Sequence, residues 1–397
     1  MEIKNIFSVI SSSKIKINNT PDNRLLFIDN IRWLMIVLVV VLHLMCTYGN
    51  IGMWYYQEPK VFDVLSKSLF GMFSSLTMAY SMGLLFFIAG FFVPGSYDKK
   101  GGGRFILNRF IRLGIPTLIF ITFLQPITLL IKLAFQQCLP NGLISWYREY
   151  LGSYAFVSGP LWFALILLVF STIYALFRLV FQKSKCGTSN KKSTMITHFR
   201  VLIVITLISL FAFAIKLVQP IGTSFYGIQL GNFSQYFLLF SLGVVTYRHN
   251  LLTRVSSDFG MFWFRLALFL GIPLWSLLIC LGGALTDINP FMGGFNWQAA
   301  AYAIWESFFC VGICLGLLVL FRDRYNNESG LSRFLSENSF GVYVFHTPLL
   351  VGATMLVRGI IINPLIKMIL MSIIMIPVCF GFSYLIRKVP PLKKLFS

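Results

Sequence analysis

The sequence predicts an all-α polytopic membrane protein, a bundle of about ten transmembrane helices with both termini cytoplasmic. Three observations carry that expectation. First, 57% of the 397 residues are apolar and only 12% charged, with a mean hydropathy of +0.78. A soluble chain of this size cannot hide so much apolar surface. Second, ten apolar runs reach spanning length, near 31–50, 69–93, 113–136, 161–181, 200–219, 233–248, 261–282, 299–321, 339–357 and 361–386. Third, with those runs as spans, twenty-five Lys and Arg fall on one side and five on the other, the asymmetry that marks a cytoplasmic face. The net charge of +20 therefore reflects topology, and no nucleic-acid partner is expected. Residues 1–24 read as a basic cytoplasmic tail, 25–391 as the membrane domain and 392–397 as a second short tail. The first 24 residues hold no sustained apolar core, so no cleavable signal peptide is expected, and the first span serves as an uncleaved anchor.

The first span opens with FIDNIRW and continues into RWLMIVLVVVLH. Asp29 occupies an expected N-cap position, and Arg32, three residues on, shares its helical face and can pair with it. Arg32 and His43 are separated by ten residues without an ionisable side chain, roughly 16 Å at the helical rise. With Arg32 at the membrane surface, His43 lies near the midplane, where an ionisable group is a functional candidate by default. The 69–93 span leads into PGSYDKKGGGRFILNRFIRLGIP. There Arg109 and Arg112 share a face, and with Arg104, Lys99 and Lys100 they form a cluster able to hold phosphates by bidentate hydrogen bonds or simply to mark the cytoplasmic side. No P-loop motif occurs. The fourth span opens with SGPLWF, with Pro160 in the first turn and Trp162 expected at the membrane interface.

Glu306 lies about 10 Å in from the outer face on the eighth span and needs a partner, water or a proton. His346, in NSFGVYVFHTPLL, lies about 12 Å deep if its helix enters near Asn338. That depth is comparable to that of His43, so the two imidazoles can share one cavity. Pro348 just beyond predicts a kink. His198 and His249 fall at cytoplasmic helix ends. The seven cysteines show neither a secreted disulfide framework nor a metal-ligand set, so no metal is expected. The longest loop, roughly 24 residues between the third and fourth spans, is too short for a soluble catalytic domain, so any chemistry belongs to the bundle. No internal repeat is visible, which disfavours inverted-repeat transporters.

Taken together, Asp29, Arg32 and His43 on the first span resemble the signature of the acyltransferase-3 family of membrane O-acyltransferases. FFIAGFFVPG with RFILNRFIRLGIP, then GPLWFALILL, then SFGVYVFHTPLL resemble its later motifs in order, over about residues 24–391. The start of the first span and the Arg-Leu-Gly-Ile-Pro element look most like the glucan-modifying, succinyl-transferring branch. The resemblance implies transfer of an acyl group, acetyl or succinyl, from a cytoplasmic acyl-CoA co-substrate to a hydroxyl of an extracytoplasmic glycan, by a multi-pass protein of the cell membrane. No bound cofactor is implied. Carried over, His43 is the catalytic histidine, as base or acyl carrier, with Arg32 and Asp29 as its motif partners. Arg104, Arg109 and Arg112 are donor-phosphate candidates, and His346 and Glu306 are further site candidates. The residues alone also permit a proton-coupled transporter of an anion or glycan precursor, or a non-catalytic membrane scaffold.

Overall fold

The computed structural model describes residues 25–60, 63–154, 158–181, 196–223 and 230–396. The N-terminal tail 1–24, Lys183, Lys185, Cys186, Lys191 and Lys192 lie outside the described residues. Within them, every regular element is a helix. Nine are long and apolar enough to cross a membrane: α1 (Leu26–Gly49), α2 (Val64–Lys100), α3 (Gly102–Phe135), α5 (Gly159–Val180), α6 (His198–Val218), α8 (Ser257–Leu281), α9 (Trp297–Arg324), α10 (Gly330–Leu356) and α11 (Pro364–Arg387). Between them lie α4 (Leu143–Tyr154) and α7 (Phe233–Arg248), and α12 (Pro390–Leu395) follows.

The sixth apolar run is the exception in length. As α7 it has 16 residues, about 24 Å of helix against a hydrocarbon core of about 30 Å. Its last residue, Arg248, pairs with Asp98, late in α2, which also holds Arg178 of α5. The turn after α6 meets the segment before α9 through Ile221 N–H to Met292 O. Helix α2, at 37 residues, runs about 55 Å and carries Asp98 near its C-terminal end.

Two local features shape the packing. Gly90 and Gly243 let α2 and α7 touch backbone to backbone. A Cβ on Gly90 would stand 2.1 Å from the Phe240 carbonyl oxygen, and one on Gly243 2.2 Å from that of Phe87, the small-residue contact that membrane helices use in place of a hydrophobic driving force. Helices α3 and α8 contain wide π turns at Phe110–Gly114, Phe120–Leu124 and Ala267–Gly271, each ending two positions before a proline, Pro116, Pro126 or Pro273. A proline lacks the N–H that would bond four residues back, and the wider turn relieves the clash. The carbonyls this exposes are then used. Tyr147 and Tyr150 of α4 donate to Thr122 O and Ile121 O, which fastens the expected loop between the third and fourth spans onto α3 as a helix. Pro348 and Pro377, by contrast, lie inside α10 and α11 without ending them. At the C-terminus the chain folds back: Phe396 is buried against Phe345 of α10.

Candidate active site

The start of α1 is fixed by the loop between α9 and α10. The helix begins at Leu26, with Leu25 as an N-cap that makes no side-chain bond, so the expected N-cap at Asp29 is corrected to a first-turn position. The cap comes from a distance: Phe27 N–H donates to Asn326 Oδ1, and the Asn30 amide donates to the carbonyls of Tyr325 and Asn327. Asp29 pairs with Arg32 at 3.4 Å, with the Arg32 side chain half-exposed.

His43 lies seventeen residues after Leu26 and six before Gly49, about 26 Å from one end of α1 and 9 Å from the other. Helix α10 starts at Gly330 behind a Ser329–Ser332 capping box, and His346 lies on its far half, nearer Leu356 than Gly330. Both rings stand past the middle of their helices, toward the end opposite Arg32. There they meet: His346 Nε2 lies 3.1 Å from His43 Nδ1, with the rings nearly parallel at 4.9 Å between centroids.

The contacts of this pair assign its protons. His346 is fully buried, and its Nδ1 faces the Tyr343 carbonyl at 2.8 Å and the Val342 carbonyl at 3.2 Å. Carbonyls only accept, so in the neutral ring Nδ1 carries the hydrogen and Nε2 is bare. The bare Nε2 accepts from His43, so Nδ1 of His43 carries that ring's hydrogen. The lone pair of the pair thus ends on His43 Nε2. The orienting contact resembles the one that a carboxylate or backbone carbonyl makes to a histidine ring nitrogen elsewhere.

Trp54 covers His43. Its ring stacks on the imidazole at 4.1 Å between centroids and 21° between planes. The loop that carries it is stapled at several points. Glu58 N–H donates to Thr47 O, the Asn50 amide to Glu58 O, and the Gln57 amide to Gly52 O. Lys60 bonds the Ile362 carbonyl, and Lys367, itself 2% exposed, donates to both oxygens of Glu58 at 2.9 and 2.7 Å. The adjacent Tyr55 hydroxyl lies where a Cβ on Gly159 would come within 2.7 Å of it, and Gly159 has φ +49°, so only glycine fits both demands. Burial raises the Tyr55 phenol above its ordinary range, which keeps it a neutral hydroxyl. The Gly-Pro-Leu-Trp-Phe segment completes the wall. Pro160 O accepts from Tyr343 of α10, and Trp162 packs against Phe86 and Tyr236. A cleft of about 810 Å³, lined in part by Tyr56, Glu58, Lys60, Phe135 and Arg358, opens beside the same loop.

At the other end of α1 the arginines gather. Arg109 lies within electrostatic reach of Arg112 and Arg32, and Lys100 within reach of Arg112, Arg109 and Lys99. The Arg109 guanidinium stands over the Phe105 ring at 5.3 Å, while Arg104 and Arg112 are exposed. Among the described residues Arg104, Arg109 and Arg112 make no ion pair. Along α1, Arg32 and His43 are about 16 Å apart.

Glu306 stands elsewhere. It pairs at 2.5 Å with Lys216, fully buried in the last turn of α6, and the ammonium lies 5.3 Å from the centre of the Tyr302 ring. Neither residue touches the histidines. Lys216 is thus a helix residue inside the bundle. Sequence reasoning missed Trp54, Glu58, Lys367 and Lys216. Only the buried lysines left a signal, a cation near the end of an apolar run with an acidic residue available at the same level.

Comparison with known families agrees with the ordered motifs. A family model described as an acyltransferase domain, that of the acyltransferase-3 family, matches residues 25–387. No curated protein matches the chain, and no solved structure does.

Proposed function

The chain belongs to the acyltransferase-3 family, and from that premise we propose that it moves an acyl group, acetyl or succinyl, from an acyl-CoA-type donor in the cytoplasm to a hydroxyl of an extracytoplasmic carbohydrate. One observation carries the reading: the His43–His346 contact leaves a base lone pair on His43 Nε2. The acceptor hydroxyl gives its proton to that nitrogen as its oxygen attacks the thioester carbonyl, and the nitrogen returns the proton to the departing thiolate. His346 orients the base and fixes its tautomer.

The two ends of α1 divide the work. Arg32, Arg109 and Arg112 receive the donor's phosphates at the basic end, which on this reading is cytoplasmic along with both termini, α7 counting as a tenth crossing. The gap of about 16 Å between Arg32 and His43 suits an extended pantetheine arm. The cleft beside the Trp54 loop gives an acceptor its approach from the opposite face. Glu306 has no part in the reaction, because Lys216 occupies its carboxylate.

The test is product analysis. Purified protein in detergent, given acyl-CoA and an oligosaccharide, yields acylated sugar by mass spectrometry, and His43→Ala yields none while inserting normally. Acylated product in undiminished amount from His43→Ala overturns the assignment.

A further inference from the structure

A base alone does not complete an acyl transfer, because the carbonyl oxygen of the donor becomes an oxyanion when the hydroxyl adds. Preorganised N–H donors aimed at that oxygen are the usual device. The most evident donor beside the His43–His346 pair is the indole of Trp54. Its Nε1–H is shielded from solvent and has no hydrogen-bond partner among the described residues. A buried indole N–H normally finds one. Face-to-face stacking at 4.1 Å puts this N–H within a ring's width of the imidazole edge. The loop beneath it is held rigid by the buried Glu58–Lys367 pair and by the Glu58 N–H bond to Thr47. An orphaned donor, fixed in place and stacked on the base, is placed to meet an atom that arrives with the substrate.

We propose that the Trp54 indole N–H binds the acyl carbonyl oxygen of the donor and stabilises the oxyanion formed at that atom. The inference rests on the acyltransferase reading above and adds a catalytic residue to it. The acceptor oxygen bonds to the carbonyl carbon while its proton passes to His43 Nε2. The C=O π electrons move onto oxygen, where Trp54 donates. The C=O bond then re-forms, the C–S bond breaks, and the thiolate leaves with the proton from His43 Nε2. The Glu58–Lys367 pair acts as a positioning clamp for the donor ring.

The experiment replaces the Trp54 indole by its benzothiophene analogue, which keeps the bicyclic ring and the stack and removes only the N–H. Trp54→Phe serves as a second variant, and His43→Ala is measured beside both. Expected is a fall in kcat of about 10²-fold in both Trp54 variants, with the donor KM and the thermal midpoint little changed, the mark of an interaction made only in the transition state. A benzothiophene variant with wild-type kcat overturns the inference, and if His43→Ala is inactive in the same series the acyltransferase reading stands without it. Loss of rate accompanied by a lower thermal midpoint and a raised donor KM assigns Trp54 a packing role and also overturns it. Full activity in His43→Ala as well overturns the reading beneath it.

Discussion

Replacing His346 with leucine removes the acceptor that holds the His43 tautomer while filling similar space. One term sets the size of the effect. With the 3.1 Å bond between the rings gone, the His43 Nδ1–H is left buried without a partner, which costs about 1–3 kcal/mol. Where the base must hold that tautomer in the transition state, 1.36 kcal/mol per decade makes this a fall of roughly 5- to 160-fold in kcat. Donor KM should hardly move, because the arginine cluster lies at the other end of α1. His346→Gln, whose side-chain oxygen can accept from the same N–H, should recover to within about tenfold of wild type. The assay is thiol release from acyl-CoA in the presence of acceptor, with thermal unfolding as the control. Wild-type kcat in His346→Leu would refute the tautomer argument.

Three further outcomes follow from the geometry. Changing Arg109 and Arg112 together to Gln should raise the donor KM at least about tenfold and flatten its salt dependence, with acceptor KM unchanged; unaltered donor kinetics would make them topology signals only. Lys216→Met or Glu306→Gln alone should cost about 3–5 kcal/mol of stability, while the double change to apolar residues of similar volume should be near neutral, measured as thermal or denaturant midpoints; additive losses would show that the pair is not coupled. Gly90→Ala should destabilise by about 1–3 kcal/mol or more through overpacking against the Phe240 carbonyl, and an unchanged midpoint would contradict the backbone contact of α2 with α7.

The bundle was legible in the sequence because burial in lipid demands long apolar runs, and each of the ten runs is a helix. The relation between His43 and His346 was legible for a related reason: two imidazoles on apolar helices at similar depth have few other partners. The starts of α1 and α10 were not, since their first turns are capped by distant or polar residues that hydropathy reads as loop. Asn326 caps α1 across some 300 residues, and nothing local to Phe27 announces it. Lys216 and Glu306 are 90 residues apart, and each looked like an isolated charge until packing brought them together. Trp54 was invisible because its stack on His43 comes from a loop fold tied to Lys367 through Glu58, more than 300 residues away.

The most direct trial of the account is a sided one. Protein reconstituted in sealed liposomes with acyl-CoA confined to the face of Arg109 and Arg112, and oligosaccharide confined to the face of Trp54, should acylate the sugar across the bilayer, and His43→Ala should abolish the product. Equal product from His43→Ala, or product only when donor and acceptor share one compartment, would contradict a base reached from both sides.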